Sequence, residues 1–129
     1  MPKFGKRSKS RLKGVDKRLL KVLDDVIQHF DITVIEGKRT KARQKELFDA
    51  GATKTMRSKH LVGLAVDIAP YPVNFNNTER FCYMAGFVMA AALKRGYKIR
   101  WGRDWKTEWP RKDKNTSTFL DYVHFELVD

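Results

Sequence analysis

At 129 residues, with 42% hydrophobic and 33% charged side chains, the chain is one domain able to bury a core, not a disordered or fibrous polymer. A formal net charge of +12 favours anionic partners (nucleic acid, acidic lipid or a polyanionic wall polymer) and is silent about fold. The single cysteine, Cys82, excludes an internal disulfide and a cysteine zinc cage and fits a reducing compartment, and the longest apolar stretch, 81–93, is too short to cross a bilayer.

Residues 1–14 carry six Lys/Arg and no acid. They read either as a solvated, partly ordered arm or as an electrostatic tether to an anionic polymer. No apolar segment follows, so the arm is not a secretory signal. Asp16 is placed to cap a helix running to about His29, with Leu19, Leu20, Val22, Leu23, Val26, Ile27 and Phe30 on one face. His29 has no acid or histidine at ligand spacing and reads as structural.

Ile32–Ile35 is a compact β-branched strand, ended by Glu36-Gly37. Arg39 follows at the strand exit. Thr40 is expected to cap a helix over Lys41–Ala50, stopped by Gly51, with Ala42, Leu47 and Phe48 toward the core. A polar, basic loop, 51–59, leads into His60. Leu64–Ala69 is strand-like, and Pro70-Tyr71-Pro72 turns the chain. Thr78 is expected to cap a long helix from Glu79 to about Arg95, with Cys82 on its buried face and Gly96 closing it. Lys98–Trp101 is a short strand. Arg103–Thr118 is a long charged loop whose Trp105 and Trp109 are candidates for lining a cleft. A last strand, Asp121–Leu127, ends the chain. This order predicts an α+β domain, a small and mostly antiparallel sheet with helices packed on it.

Asp67 is the anomaly in this pattern. It interrupts an apolar strand, and a buried carboxylate costs several kcal/mol unless it is paired, hydrogen-bonded or metal-bound. His60 lies seven residues before it, and the last strand carries His124 with Asp121 and Glu126 on either side. Two histidines and a carboxylate can fill three positions of a tetrahedral zinc, leaving the fourth for water, and a further carboxylate nearby would be a general base. Glu126 falls on the same face of its strand as His124 and reads either as a partner orienting a ligand imidazole or as a surface carboxylate. The residues alone leave two other classes open. One is a metal-bound structural domain without turnover. The other is a basic nucleic-acid-binding module, supported by the charge and three tryptophans but lacking any recognised binding signature and leaving Asp67 unexplained.

Ser58-x-His60-x-x-Gly63-x-Ala65-x-Asp67, with Asp121-x-x-His124-Phe125-Glu126 downstream, resembles the D-alanyl-D-alanine carboxypeptidase and dipeptidase (VanY-like) group of zinc peptidases. Gly37-Lys38-Arg39-Thr40 is similar to that group's arginine segment. The likeness runs from Phe4-Gly5-Lys6 to the C-terminus, includes Arg100-Trp101-Gly102-x-Asp104-Trp105, and is nearest to the single-domain phage endolysins that act as L-alanyl-D-glutamate endopeptidases. The resemblance implies a hedgehog/DD-peptidase-like fold over 1–129 and a zinc ion on His60, Asp67 and His124. It implies Asp121 as general base and Arg39 as the group that stabilises developing negative charge, although the residues equally allow Arg39 to bind a substrate carboxylate. Many carboxypeptidase members have glutamate at the position of Asp121, whereas the endolysin branch is similar to this chain in having aspartate, which favours the endopeptidase over a D-Ala-D-Ala carboxypeptidase. The expected partners are murein stem peptides and, through the basic surface, anionic envelope polymers, with no specific nucleic acid. The expected state is a monomer made in the host bacterial cytoplasm. It would reach the periplasmic wall through a holin-type pore made by another protein.

Overall fold

A computed structural model of the chain describes residues 3–51, 58–102 and 122–128. Asp16 accepts the backbone N–H of Arg18 at 2.8 Å and so opens helix α2 (Lys17–Ile27), which follows a shorter helix α1 (Lys6–Arg11). Leu19, Val22, Leu23, Val26 and Ile27 recur at helical spacing and are buried. Strand β1 (Ile32–Glu36) leads to helix α3 (Lys41–Asp49), and a single 3-10 turn over Lys59–Val62 precedes strand β2 (Ala65–Pro70). Helix α4 (Thr78–Arg95) and the short strands β3 (Ile99–Trp101) and β4 (His124–Leu127) complete the described chain. Thr78 is the first residue of α4 and not its cap; Asn77 plays that part, its side chain accepting from Arg80 N–H at 3.3 Å.

The four strands form one antiparallel sheet in the order β1-β2-β4-β3. Val34, Val66, Ile68, Phe125 and Leu127 share one core with α2 and with Phe81, Met84, Ala85, Val88 and Ala92 of α4. An Asp25–Arg95 ion pair (2.6 Å) joins the two helices at the surface. Because side chains alternate along a strand, Asp67 between Val66 and Ile68 points to the sheet's other face. The register then gathers polar groups on that face. Asp67 lies opposite His124 on β4 and opposite Glu36 on β1, while Glu126 lies between Ala65 and Arg100. The Glu36 pairing depends on a register shift after Val34, an extra residue that brings Glu36 rather than Ile35 across from Asp67.

Three further expectations are corrected. Residues 6–11 are more ordered than an arm: their basic side chains are exposed, but Ser8 Oγ accepts the N–H of Val34 (3.0 Å) and Arg11 Nη1 donates to the carbonyl of Val34 (2.9 Å), so α1 covers the outer edge of β1. Helix α3 does not bury Ala42 and Phe48, which are exposed, and Leu47 is half-buried; its one buried residue is Gln44. Cys82 is exposed on α4 instead of lying on the core face, because Phe81, Met84, Ala85 and Val88 fill that face. Among the described residues no helix is long and apolar enough to cross a membrane.

Candidate metal centre

His60 is set by the 3-10 turn. Ser58 Oγ accepts the His60 N–H at 3.1 Å, and Gly63, at φ 75°, ends the turn in the left-handed region that favours glycine. The ring is 2% exposed, and its Nδ1 lies 2.8 Å from the carbonyl of Gly37. A carbonyl only accepts, so Nδ1 carries the proton and Nε2 is left with a lone pair. His124 repeats the logic with its nitrogens exchanged. Its Nε2–H donates to Glu126 Oε1 at 2.9 Å, so Nδ1 bears the lone pair.

These two lone pairs converge on Asp67. His60 Nε2 and His124 Nδ1 lie 3.2 Å apart, and Asp67 Oδ1 is 3.2 Å from the first and 3.1 Å from the second. Three electron-rich atoms therefore form a nearly equilateral triangle, and with neutral imidazoles none of its edges holds a proton. Such a triangle needs a cation. A tetrahedral zinc with bonds of about 2.0–2.1 Å separates its ligand atoms by about 3.3 Å, and the donor set fits that ion. His60, Asp67 and His124 are also the one group of His, Cys, Asp and Glu among the described residues that could hold a metal.

Burial opposes ionisation of Asp67, but when the two rings are protonated toward it the hydrogen bonds from His124 and His60 outweigh burial and hold the carboxyl well below its usual range. Burial also opposes ionisation of Glu126, which is 4% exposed; hydrogen bonds from His124 and Arg100 overcome it and lower the carboxyl to about 2. Both acids are anionic at neutral pH.

Arg39 lies beside this cluster. Its backbone N–H donates to the His60 carbonyl at 2.8 Å. Its side chain, 9% exposed, donates from Nε to Glu36 Oε1 (2.8 Å) and from Nη1 to Gln44 Oε1 (2.7 Å), and Nη2 pairs with Glu36 as well. Glu36 and Gln44 were missed by the sequence reading. Glu36 reads as a strand end, and Gln44 as one polar residue in a polar helix. The signal for both was Arg39 itself, since a buried guanidinium requires an anion and acceptors. Three predicted ligands and Arg39 are thus brought to one place. Asp121, Trp105 and Trp109 lie outside the described residues.

A small antiparallel sheet whose register sets His124 beside Asp67, with His60 brought in by the adjoining 3-10 turn and a largely buried Arg39 alongside, defines a metallopeptidase-type centre. The model of the phage L-alanyl-D-glutamate peptidase family matches residues 1–128, and the chain belongs to that family. It is a hydrolase of that class. It is 31% identical over 134 residues to the L-alanyl-D-glutamate peptidase of Escherichia phage T5, with 98% of each chain covered. The crystal structure of the Serratia marcescens L-Ala D-Glu endopeptidase ChiX superposes with a TM-score of 0.81 at 32% identity, over 98% of this chain and 90% of that one. The vancomycin resistance D,D-pentapeptidase VanY, solved in complex with Zn(II), shares the fold with a TM-score of 0.55 at 19% identity, over 89% of this chain and 73% of that one.

Proposed function

We propose that the chain is a zinc-dependent endolysin that hydrolyses the L-Ala–D-Glu bond of murein stem peptides and so lyses the bacterial cell. The triangle of His60 Nε2, Asp67 Oδ1 and His124 Nδ1, with both tautomers set for ligation, carries the metal chemistry. Family membership over the whole chain supports the choice of bond.

Held by those three residues, zinc would supply a Lewis acid and acidify water to a pKa of about 7. Asp121 takes the proton of the attacking water and delivers it to the departing amine. Arg39 faces the negative charge that grows on the carbonyl oxygen as the amide carbon is attacked. Glu36 and Gln44 hold its guanidinium in one plane, so little reorganisation is needed when that charge appears. The enzyme acts as a monomer, its basic surface concentrates it on anionic envelope polymers, and it reaches the wall through a pore made by a second protein.

The test is digestion of purified peptidoglycan with and without a chelator and zinc add-back, followed by mass analysis of the fragments. Stem peptides lacking their L-alanine, released only when zinc is present, are the expected result. Loss of a terminal D-alanine alone would move the enzyme to the carboxypeptidase branch. Absence of any release by the folded, zinc-loaded protein would overturn the reading.

A further inference from the structure

Glu126 has more partners than a strand-face carboxylate needs. Its Oε1 accepts His124 Nε2–H at 2.9 Å. Its Oε2 accepts Arg100 Nη2 at 2.7 Å and lies 3.3 Å from Lys59 Nζ. Lys59 also donates to the carbonyl of Leu127, the next residue of β4. One carboxylate, 4% exposed, thus connects three elements: β3 through Arg100, β4 through His124, and the 3-10 turn through Lys59, whose neighbour in sequence is His60. It is not among the residues whose donor atoms converge as a possible metal site.

We propose that Glu126 is a positioning residue for the metal centre. It fixes His124 in the tautomer that turns the Nδ1 lone pair toward Asp67, and through Lys59 it holds the turn bearing His60 against the strand bearing His124. The inference rests on the zinc reading above and adds a residue that touches neither the ion nor the substrate. Two cations on Oε2 keep that oxygen engaged, so Oε1 is the one presented to the imidazole. With Glu126 gone, His124 Nε2–H loses the acceptor 2.9 Å away and the Lys59 ammonium loses its carboxylate on β4. The two histidines then have to be ordered by the metal itself, and affinity falls.

The test is the zinc dissociation constant of the full chain, measured by competition with a chromophoric chelator, for wild type, Glu126→Leu, Glu126→Gln and Lys59→Met. Glu126→Leu is expected to weaken zinc binding about 10–100-fold, the usual cost of losing a hydrogen-bond partner of a ligating histidine. Glu126→Gln keeps an acceptor for Nε2–H but loses the charge that holds Lys59 and Arg100, and falls between the two. Lys59→Met, which contacts no ligand atom, still weakens binding several-fold. The zinc-loaded wild type is also expected to show a slowly exchanging His124 Nε2–H resonance that Glu126→Leu abolishes. Lower melting temperatures with unchanged zinc affinity in Glu126→Gln and Lys59→Met would show a merely structural role and overturn the inference, even should Glu126→Leu fail to fold. A wild type that binds no zinc would instead strike the zinc reading itself.

Discussion

Gly37 serves two neighbours at once. Its carbonyl accepts from His60 Nδ1 at 2.8 Å, and its α-carbon is pressed against α1: a Cβ built there would meet the Arg11 carbonyl oxygen at 2.0 Å and Val15 Cγ2 at 2.8 Å. The first of those atoms is backbone and cannot rotate away. Gly37→Ala must therefore push α1 off the exit of β1 and turn the carbonyl that sets the His60 tautomer. The expected outcome is a loss of about 1–3 kcal/mol, the range for overpacked sites, seen in urea unfolding, together with weaker zinc binding. A variant of wild-type stability and affinity would show that the backbone there yields freely. Asp67 is the simpler case. Asp67→Asn keeps the shape but removes the anion from the triangle, and loss of bound zinc measured by elemental analysis is expected while the fold persists, since only one face of the sheet is altered.

At the scale of elements, α2 shows how a local signal becomes stability. Asp16 accepts the Arg18 backbone N–H at 2.8 Å and pairs with the Arg18 guanidinium at 3.0 Å. Asp16→Ala is expected to cost about 1 kcal/mol in denaturant unfolding at pH 7. The side-chain hydrogen bond from Arg18, then its backbone N–H, lower the carboxyl below its usual 3.8. A pKa lowered on folding gives stability that is fully present above the unfolded value and is lost as pH falls through the folded one, so the gap between wild type and variant should close below about pH 4. A gap that stays constant with pH would contradict that assignment. The same elements show what was legible in the sequence. Strands and helices around the core were readable because burial repeats at 2 or 3.6 residues, and His60, Asp67 and His124 stood out as polar groups in or beside apolar strands. Helix α3 was misread for the opposite reason. Its purpose is to place buried Gln44 against Arg39, and a polar residue facing inward leaves no apolar period to detect. Helix α1 was misread because its docking runs through Ser8 and Arg11, side chains that composition counts as solvent-seeking.

Across the whole molecule, three of the cations behind the net charge of +12 take a fixed position. Lys6, Arg7 and Lys9 are exposed on α1, whose far end is held where the Arg11 carbonyl abuts Gly37, while the Gly14 carbonyl abuts Gly63 of the His60 turn. The basic helix is thus mounted on the same backbone that shapes the metal centre, and under the proposed capture of anionic envelope polymers it would act from a fixed position rather than as a trailing arm. Long-range attraction of this kind raises encounter rates by about 10-fold or more in low salt and fades as the screening length shrinks from about 10 Å at 0.1 M. Replacing Lys6, Arg7 and Lys9 by glutamine should therefore slow lysis of intact sacculi about tenfold at low ionic strength. The deficit should shrink as salt is added. Hydrolysis of a short, soluble stem peptide should change far less, because a small substrate has no extended polyanion for α1 to hold. Equal rate losses on sacculi and on the soluble peptide would place the effect at the metal centre instead, and an undiminished rate on sacculi at low salt would remove α1 from polymer capture altogether.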